Sequence, residues 1–143
     1  MKRIKVALYE PEIPQNVGAI IRTCACFDVE LYIIEPVGFL WQDANFRRAK
    51  LDYDIDVHRI ESFGVFLDKF RNNRKILLTP HTDCYINDFQ LQDNDILCFG
   101  RESNGIEVEN MKYFDQLLAI KMLSNCRSLN LSVSVAITLT FFL

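Results

Sequence analysis

The chain reads as an α/β protein built on a mainly parallel sheet, and two observations predict this. Five short apolar runs, at residues 4–8, 31–34, 76–78, 96–99 and 117–120, and the stretch Val57-His58-Arg59-Ile60 have the length of strands and are set between polar or turn-forming stretches. These runs alternate with segments that open on helix-capping residues or repeat apolar positions at helical spacing, which is the pattern of βα units. In sheets of this kind ligands bind past the carboxyl ends of the strands. Thr79, Gly100 and Met122 all stand just past such ends.

Taken in order, residues 4–8 form the first strand and Pro11 and Pro14 stiffen the loop after it. Asn16 is placed to cap a helix whose Val17, Ile20, Ile21, Cys24 and Phe27 share one face. Arg22 lies off that stripe and, on the residues alone, is a solvent arginine near the loop end of the helix. Residues 31–34 form the second strand, and Asp43 caps a short helix carrying Arg47 and Arg48. Asp52, Asp54 and Asp56 alternate before the third strand without the glycine and terminal glutamate of a calcium loop. Ser62 caps a helix that turns Phe63, Phe66, Leu67 and Phe70 inward. Residues 76–78 end at Thr79-Pro80, residues 81–95 are polar and loop-like, and residues 96–99 lead into a turn from 100 to 105. A helix around 108–114 precedes the last strand. The chain then crosses small polar residues, where Ser128, Asn130 and Ser132 favour a helix start, and enters an apolar run to Leu143. A strand passing through a polar turn into a helix N-terminus leaves N–H groups free to meet a ligand.

Composition narrows the classes. A chain of 143 residues supports one core, and a single domain over 1–143 is expected. Half the residues are hydrophobic and 24% are charged, as in a globular domain. A net charge of −3 carries no global signature of nucleic-acid binding, so a basic surface must be local. Lys2, Arg3 and Lys5 are one candidate; Arg47, Arg48 and Lys50 a second; Lys69, Arg71, Arg74 and Lys75 a third. Five cysteines without paired C-x-x-C spacing argue against a disulfide framework and a structural zinc site. Cys24 and Cys98 sit in apolar runs as core thiols, and a reducing cytoplasm is the expected compartment. Glu10 and Glu12 interrupt the first apolar run, so no signal-peptide pattern is visible. The apolar run 133–143 is too short to span a bilayer. No metal is expected.

The turn at 100–105 has P-loop-like G-x-x-x-x-G spacing, but Ile106-Glu107 stands where Lys-Ser/Thr is required, and G-x-G-x-x-G occurs nowhere. Three stretches instead carry a resemblance. Arg127-Ser128-Leu129-Asn130-Leu131-Ser132 resembles the third motif of the SPOUT superfamily, methyltransferases with a trefoil-knotted backbone. Pro11-Glu12-Ile13-Pro14-Gln15-Asn16-Val17-Gly18-Ala19-Ile20-Ile21-Arg22 resembles the first. Phe99-Gly100-Arg101-Glu102-Ser103-Asn104-Gly105 resembles the second, usually Phe-Gly-Pro-Glu-x-x-Gly. The segments at 8–14 and 34–39, Arg47-Arg48-Ala49 and Leu51-Asp52-Tyr53 narrow the resemblance to the branch that 2′-O-methylates the wobble nucleotide of tRNA, cytidine or uridine 34.

The resemblance implies a C-terminal trefoil knot and a bent S-adenosylmethionine lined by Leu78, Thr79, Gly100, Ile120, Ser128 and Leu129. Leu78, Ile120 and Leu129 suit an adenine, and the turns offer main-chain hydrogen bonds. Arg22 matches the arginine placed at the reacting ribose. Guanidinium groups keep their protons in proteins, so positioning beside a phosphate suits it better than proton abstraction. Asn16 and Glu102 match positions that hold the loops, and Ser128 with Asn130 matches the polar pair of the third motif. His58 and His81 fall in no motif and read as incidental. As a helix the run 133–143 is apolar nearly all round and must be buried on most sides, so a homodimer with Phe141 and Phe142 in the contact is expected. The resemblance implies that the helices from residues 17 and 133 meet across its two-fold axis. The partner RNA would be the anticodon loop of tRNA.

Several positions depart from the family pattern. Arg101 replaces proline and Asn104 a common arginine. Ser124-Asn125-Cys126 stands where a proline-containing turn is usual, and Val133 and Thr140 replace an asparagine and a tyrosine. Methylation of another tRNA or rRNA ribose is the nearest alternative. A catalytically silent RNA-binding relative is opposed by intact Arg22, Glu102 and Asn130. A phosphoacceptor receiver-like module needs an aspartate after the third strand, where Glu61 stands.

Overall fold

The computed structural model describes residues 2–53 and 55–143; Asp54 of the acidic alternation lies outside the described residues. Six strands, β1 (Lys5–Tyr9), β2 (Glu30–Ile34), β3 (Val57–Ile60), β4 (Lys75–Leu78), β5 (Ile96–Phe99) and β6 (Gln116–Leu118), form one sheet in the order β3-β2-β1-β5-β4-β6. Every pairing is parallel. The chain steps outward from β1 to β3, then crosses to the other half of the sheet, so the order reverses between β1 and β5. That boundary is where an open α/β sheet leaves a crevice past its strand ends.

Side-chain alternation along the strands builds two cores. Val6, Leu8, Leu31, Ile33, Leu97 and Phe99 face one side. They meet α1 (Pro14–Phe27) and α4 (Leu131–Phe142) through Val17, Ile20, Ile21, Val135 and Leu139. Ala7, Tyr9, Tyr32, Ile34 and Cys98 face the other, under Phe66 and Phe70 at α3 (Phe63–Lys69). Each fully buried aliphatic or phenyl side chain contributes about 1.5–3 kcal/mol. Burial on both faces explains why the central strands read as continuous apolar runs.

Helix starts follow the capping chemistry, with one correction. Asp43 accepts from the Asn45 and Phe46 N–H groups at the start of α2 (Ala44–Lys50), and Ser62 accepts from Val65 N–H. Asn16 does not cap α1. The helix begins at Pro14, with Ile13 at the cap position and no side-chain cap. Proline brings a helical φ and lacks the N–H that a first-turn residue would leave unpaired. Asn16 therefore falls inside the first turn, buried. At the other end Asp28 closes the helix in the left-handed region, φ 53°, with its N–H on Ala25. Gly18 lets α1 and α2 touch, since a Cβ there would lie 2.6 Å from the Ala49 Cβ and 2.8 Å from the Phe46 oxygen.

Two other segments differ from expectation. The region at 108–114 is a 3₁₀ helix, Val108–Tyr113, and the polar stretch 81–95 contains a 3₁₀ turn, Ile86–Asp88. Half of the third basic candidate is part of the frame, while Lys69 and Arg71 are exposed. Lys75 is buried and donates to the Phe70 and Asn73 oxygens at 3.0 and 2.8 Å, while Arg74 pairs with buried Asp95 at 2.6 Å. Arg47 and Arg48 on α2 are exposed. No helix among the described residues is long and apolar enough to cross a membrane.

Candidate active site

The strand ends β4, β5 and β6, the start of α1 and the start of α4 enclose a cavity of about 600 Å³. That volume suits a ligand of nucleotide-cofactor size. Leu78 and Thr79 follow β4, Gly100 follows β5, and Ile120 follows β6; Ser128 and Leu129 come from the approach to α4. All six line the cavity, as do Asn16, Glu102 and Asn130.

A chain of hydrogen bonds ties the three motif stretches together. Glu102 accepts from the Glu12 and Ile13 N–H groups at 2.9 and 2.7 Å. It also accepts from the Asn16 amide at 3.3 Å. The Asn130 amide donates to Asn16 Oδ1 at 3.0 Å. Asn130 Oδ1 caps α4, accepting from the Ser132 and Val133 N–H groups. The buried position of Asn16 is thus what lets it join Glu102 to Asn130. Glu12 returns the contact, accepting from the Ser103 N–H and hydroxyl at 2.9 and 2.7 Å. Those two bonds hold the Glu12 carboxyl below its usual range.

The turn from 100 to 105 is closed by paired main-chain hydrogen bonds between Arg101 and Gly105, at 3.0 and 3.1 Å. Gly105 takes φ 60°, which suits glycine, and a Cβ at position 100 would fall 2.7 Å from the Gly105 backbone. Arg101 pairs with Glu10 and Glu107. The Arg101 guanidinium and then the Tyr9 hydroxyl, both hydrogen-bonded to Glu107, draw that carboxyl down to about 2. Burial of its ring and the same bond to Glu107 push the Tyr9 phenol up.

Arg22 stands apart. It is exposed on α1, with its guanidinium carbon 5.9 Å from the centroid of the Tyr53 ring, and it does not line the cavity. The residues the sequence reading missed include His81, Val108, Met111 and Arg127, which do line it. His81 is carried there by its N–H bond to Thr79 Oγ1 at 3.3 Å. Its place three residues after the end of β4 was the available signal. Val108 and Met111 gave none; they reach the cavity from the 3₁₀ segment Val108–Tyr113. His58, by contrast, stacks on Tyr32 outside the cavity, ring centroids 4.7 Å apart. Among the described residues no group of three or more His, Cys, Asp or Glu could hold a metal ion.

A parallel sheet with a cavity past its strand ends, closed by three linked turns, defines an α/β protein of the ligand-binding type. The model of the SpoU rRNA Methylase family matches residues 3–140, and the chain belongs to that family. A tRNA (cytidine(34)-2'-O)-methyltransferase of Aeromonas hydrophila is 39% identical over 138 residues, which cover 94% of this chain and 88% of that protein. A solved structure giving insights into the 2-OH methylation of C/U34 on tRNA superposes with a TM-score of 0.91 at 35% identity. The match covers 96% of this chain and 91% of that one. An AdoMet-bound rRNA methyltransferase of Sinorhizobium meliloti, 21% identical, shares the fold with a TM-score of 0.88 over 97% of this chain and 55% of its own.

Proposed function

We propose that this chain transfers a methyl group from S-adenosylmethionine to the ribose 2′-hydroxyl of nucleotide 34, cytidine or uridine, in tRNA. The observation that carries the reading is a cavity shared by the three motif stretches, joined through Glu102, Asn16 and Asn130. The 39% identical relative and the structure concerned with C/U34 support the substrate. Residues 1–143 are taken as one methyltransferase domain, with the trefoil knot of the superfamily near its C-terminal end, working in the cytoplasm.

The residues fit the cofactor. Leu78, Ile120 and Leu129 offer apolar walls for adenine, and Thr79, Gly100 and Ser128 bring polar and main-chain groups to its edges. When bound, the cofactor supplies an electrophilic methyl on a sulfonium. Glu102, Asn16 and Asn130 keep the turns in register around it. A free hydroxyl is a poor nucleophile, so orientation and charge placement carry much of the acceleration. Arg22 supplies a cation beside the phosphate of the reacting nucleotide and holds the ribose in line. Exposed Arg47 and Arg48 on the neighbouring helix extend that basic surface towards the anticodon loop.

Arg22 lies outside the cavity of its own subunit, and an isologous homodimer would bring it to the partner's cavity. The exposed stripe Val133, Ile137 and Phe141 on α4, beside α1, is the surface such a dimer would cover. Titration calorimetry with S-adenosylmethionine in the presence of EDTA tests the reading. Binding unaffected by the chelator is expected, and absence of heat at millimolar cofactor would overturn it.

A further inference from the structure

Arg101 stands where the second motif of the superfamily usually has proline. Its Nη2 donates to Glu10 Oε1 at 3.1 Å and to Glu107 Oε1 at 2.5 Å. Its guanidinium carbon sits 4.9 Å from the centroid of the Tyr9 ring. The Tyr9 hydroxyl donates to the other Glu107 oxygen at 2.7 Å. Glu10 itself has φ 46°, a left-handed conformation unusual for a non-glycine residue. One cation therefore spans the end of β1 and both sides of the turn from 100 to 105. The next residue, Glu102, carries the bonds to the first motif.

Proline would stiffen this turn by fixing φ and would lack the N–H that Arg101 donates to the Gly105 oxygen. Arginine leaves the backbone its hydrogen bond and fixes the turn from the side-chain end. We infer that Arg101 is a positioning residue for the cofactor, clamping the turn from 100 to 105 through Glu10 and Glu107. The inference rests on the cavity being the S-adenosylmethionine site. Without the clamp the turn must be ordered when the ligand binds, and that ordering lowers affinity. Both bonds are charge-assisted, and the Arg101 guanidinium and Glu10 are partly buried while Glu107 is exposed.

The test is calorimetry with S-adenosylmethionine on the wild type, R101A, R101K and E107Q, with a thermal melt of each protein alone. Removal of the guanidinium should weaken cofactor binding about 10-fold. R101K, which keeps the charge between the two carboxylates, should recover part of that loss, and E107Q should fall between wild type and R101A. Melting temperatures should not follow this order. If R101A does not fold, E107Q, altered at an exposed carboxylate, carries the same comparison with R101K. Unchanged affinity in R101A and E107Q would overturn the clamp, as would a loss that tracks the melting temperature and is not rescued by lysine. A wild-type protein that binds no S-adenosylmethionine would overturn the cavity reading itself, before any variant is compared.

Discussion

At Glu102 one carboxylate accepts two N–H groups from the loop before α1 and the amide of Asn16. Its place as a loop holder was legible from the motif. The place of Asn16 was legible only in part, because Pro14 claims the helix start that an asparagine would ordinarily mark. Arg22 reads as solvent-exposed from periodicity and is exposed, so its assignment to the ribose comes from the resemblance. Replacing Arg22 with alanine should lower methyl transfer by about 100- to 1,000-fold. Cofactor affinity should stay within a few fold, and a loss of both together would mark a structural residue instead. Glu107 gives a pH prediction. Its folded-state value near 2 lies below the ordinary 4.5, so its stabilising contribution is complete above 4.5 and fades as pH falls towards 2. Acid titration of stability should therefore show a shallower loss in that window for Glu107→Gln than for the wild type. Burial pushes the Cys24 thiol up to about 12 and raises Cys98 as well, while Cys26, Cys84 and Cys126 are exposed. A thiol reagent at neutral pH should label three cysteines in the native protein and all five after denaturation.

Among the elements, the strands and the caps at Asp43 and Ser62 follow from local chemistry that a sequence displays. The 3₁₀ segment Val108–Tyr113 does not, because its placement depends on contacts with distant residues, such as Asn110 reaching Tyr9 at 3.4 Å. Asn130 serves two elements at once. Its oxygen caps α4 and its amide holds Asn16, and two substitutions separate these tasks. Asn130→Ala removes both and should cost about 1 kcal/mol of stability from the cap alone. Asn130→Asp keeps the cap acceptor but loses the donor to Asn16. Denaturant melts should show Asp close to wild type in stability while methyl transfer falls in both variants. Equal activity in Asp and wild type would show that the Asn16 link does not matter.

The whole molecule was legible to its class and no further by pattern alone. Alternating strands and helices indicate a parallel α/β sheet, but the placing of β6 beyond β4 and the crossover between β3 and β4 rest on pairings far apart in sequence. The same alternation fits a receiver-like module; Glu61 after the third strand opposes it, and family membership over residues 3–140 excludes it. Assembly can be tested more sharply from the structure than from the sequence. Phe142 packs against the core while Phe141 is 47% exposed and Ile137 38%. Aspartate at Ile137 and Phe141 should therefore weaken dimerisation and activity in parallel, as read by sedimentation, without the folding defect expected of a change at Phe142. A fully active monomer would contradict the shared site. Mass mapping of 2′-O-methyl groups in tRNA from cells with and without this protein identifies the modified nucleotide. Loss of the methyl group from cytidine or uridine 34, restored by the wild type and not by Arg22→Ala, is the predicted result. An unchanged position 34, with a methyl group lost from any other ribose, would contradict it.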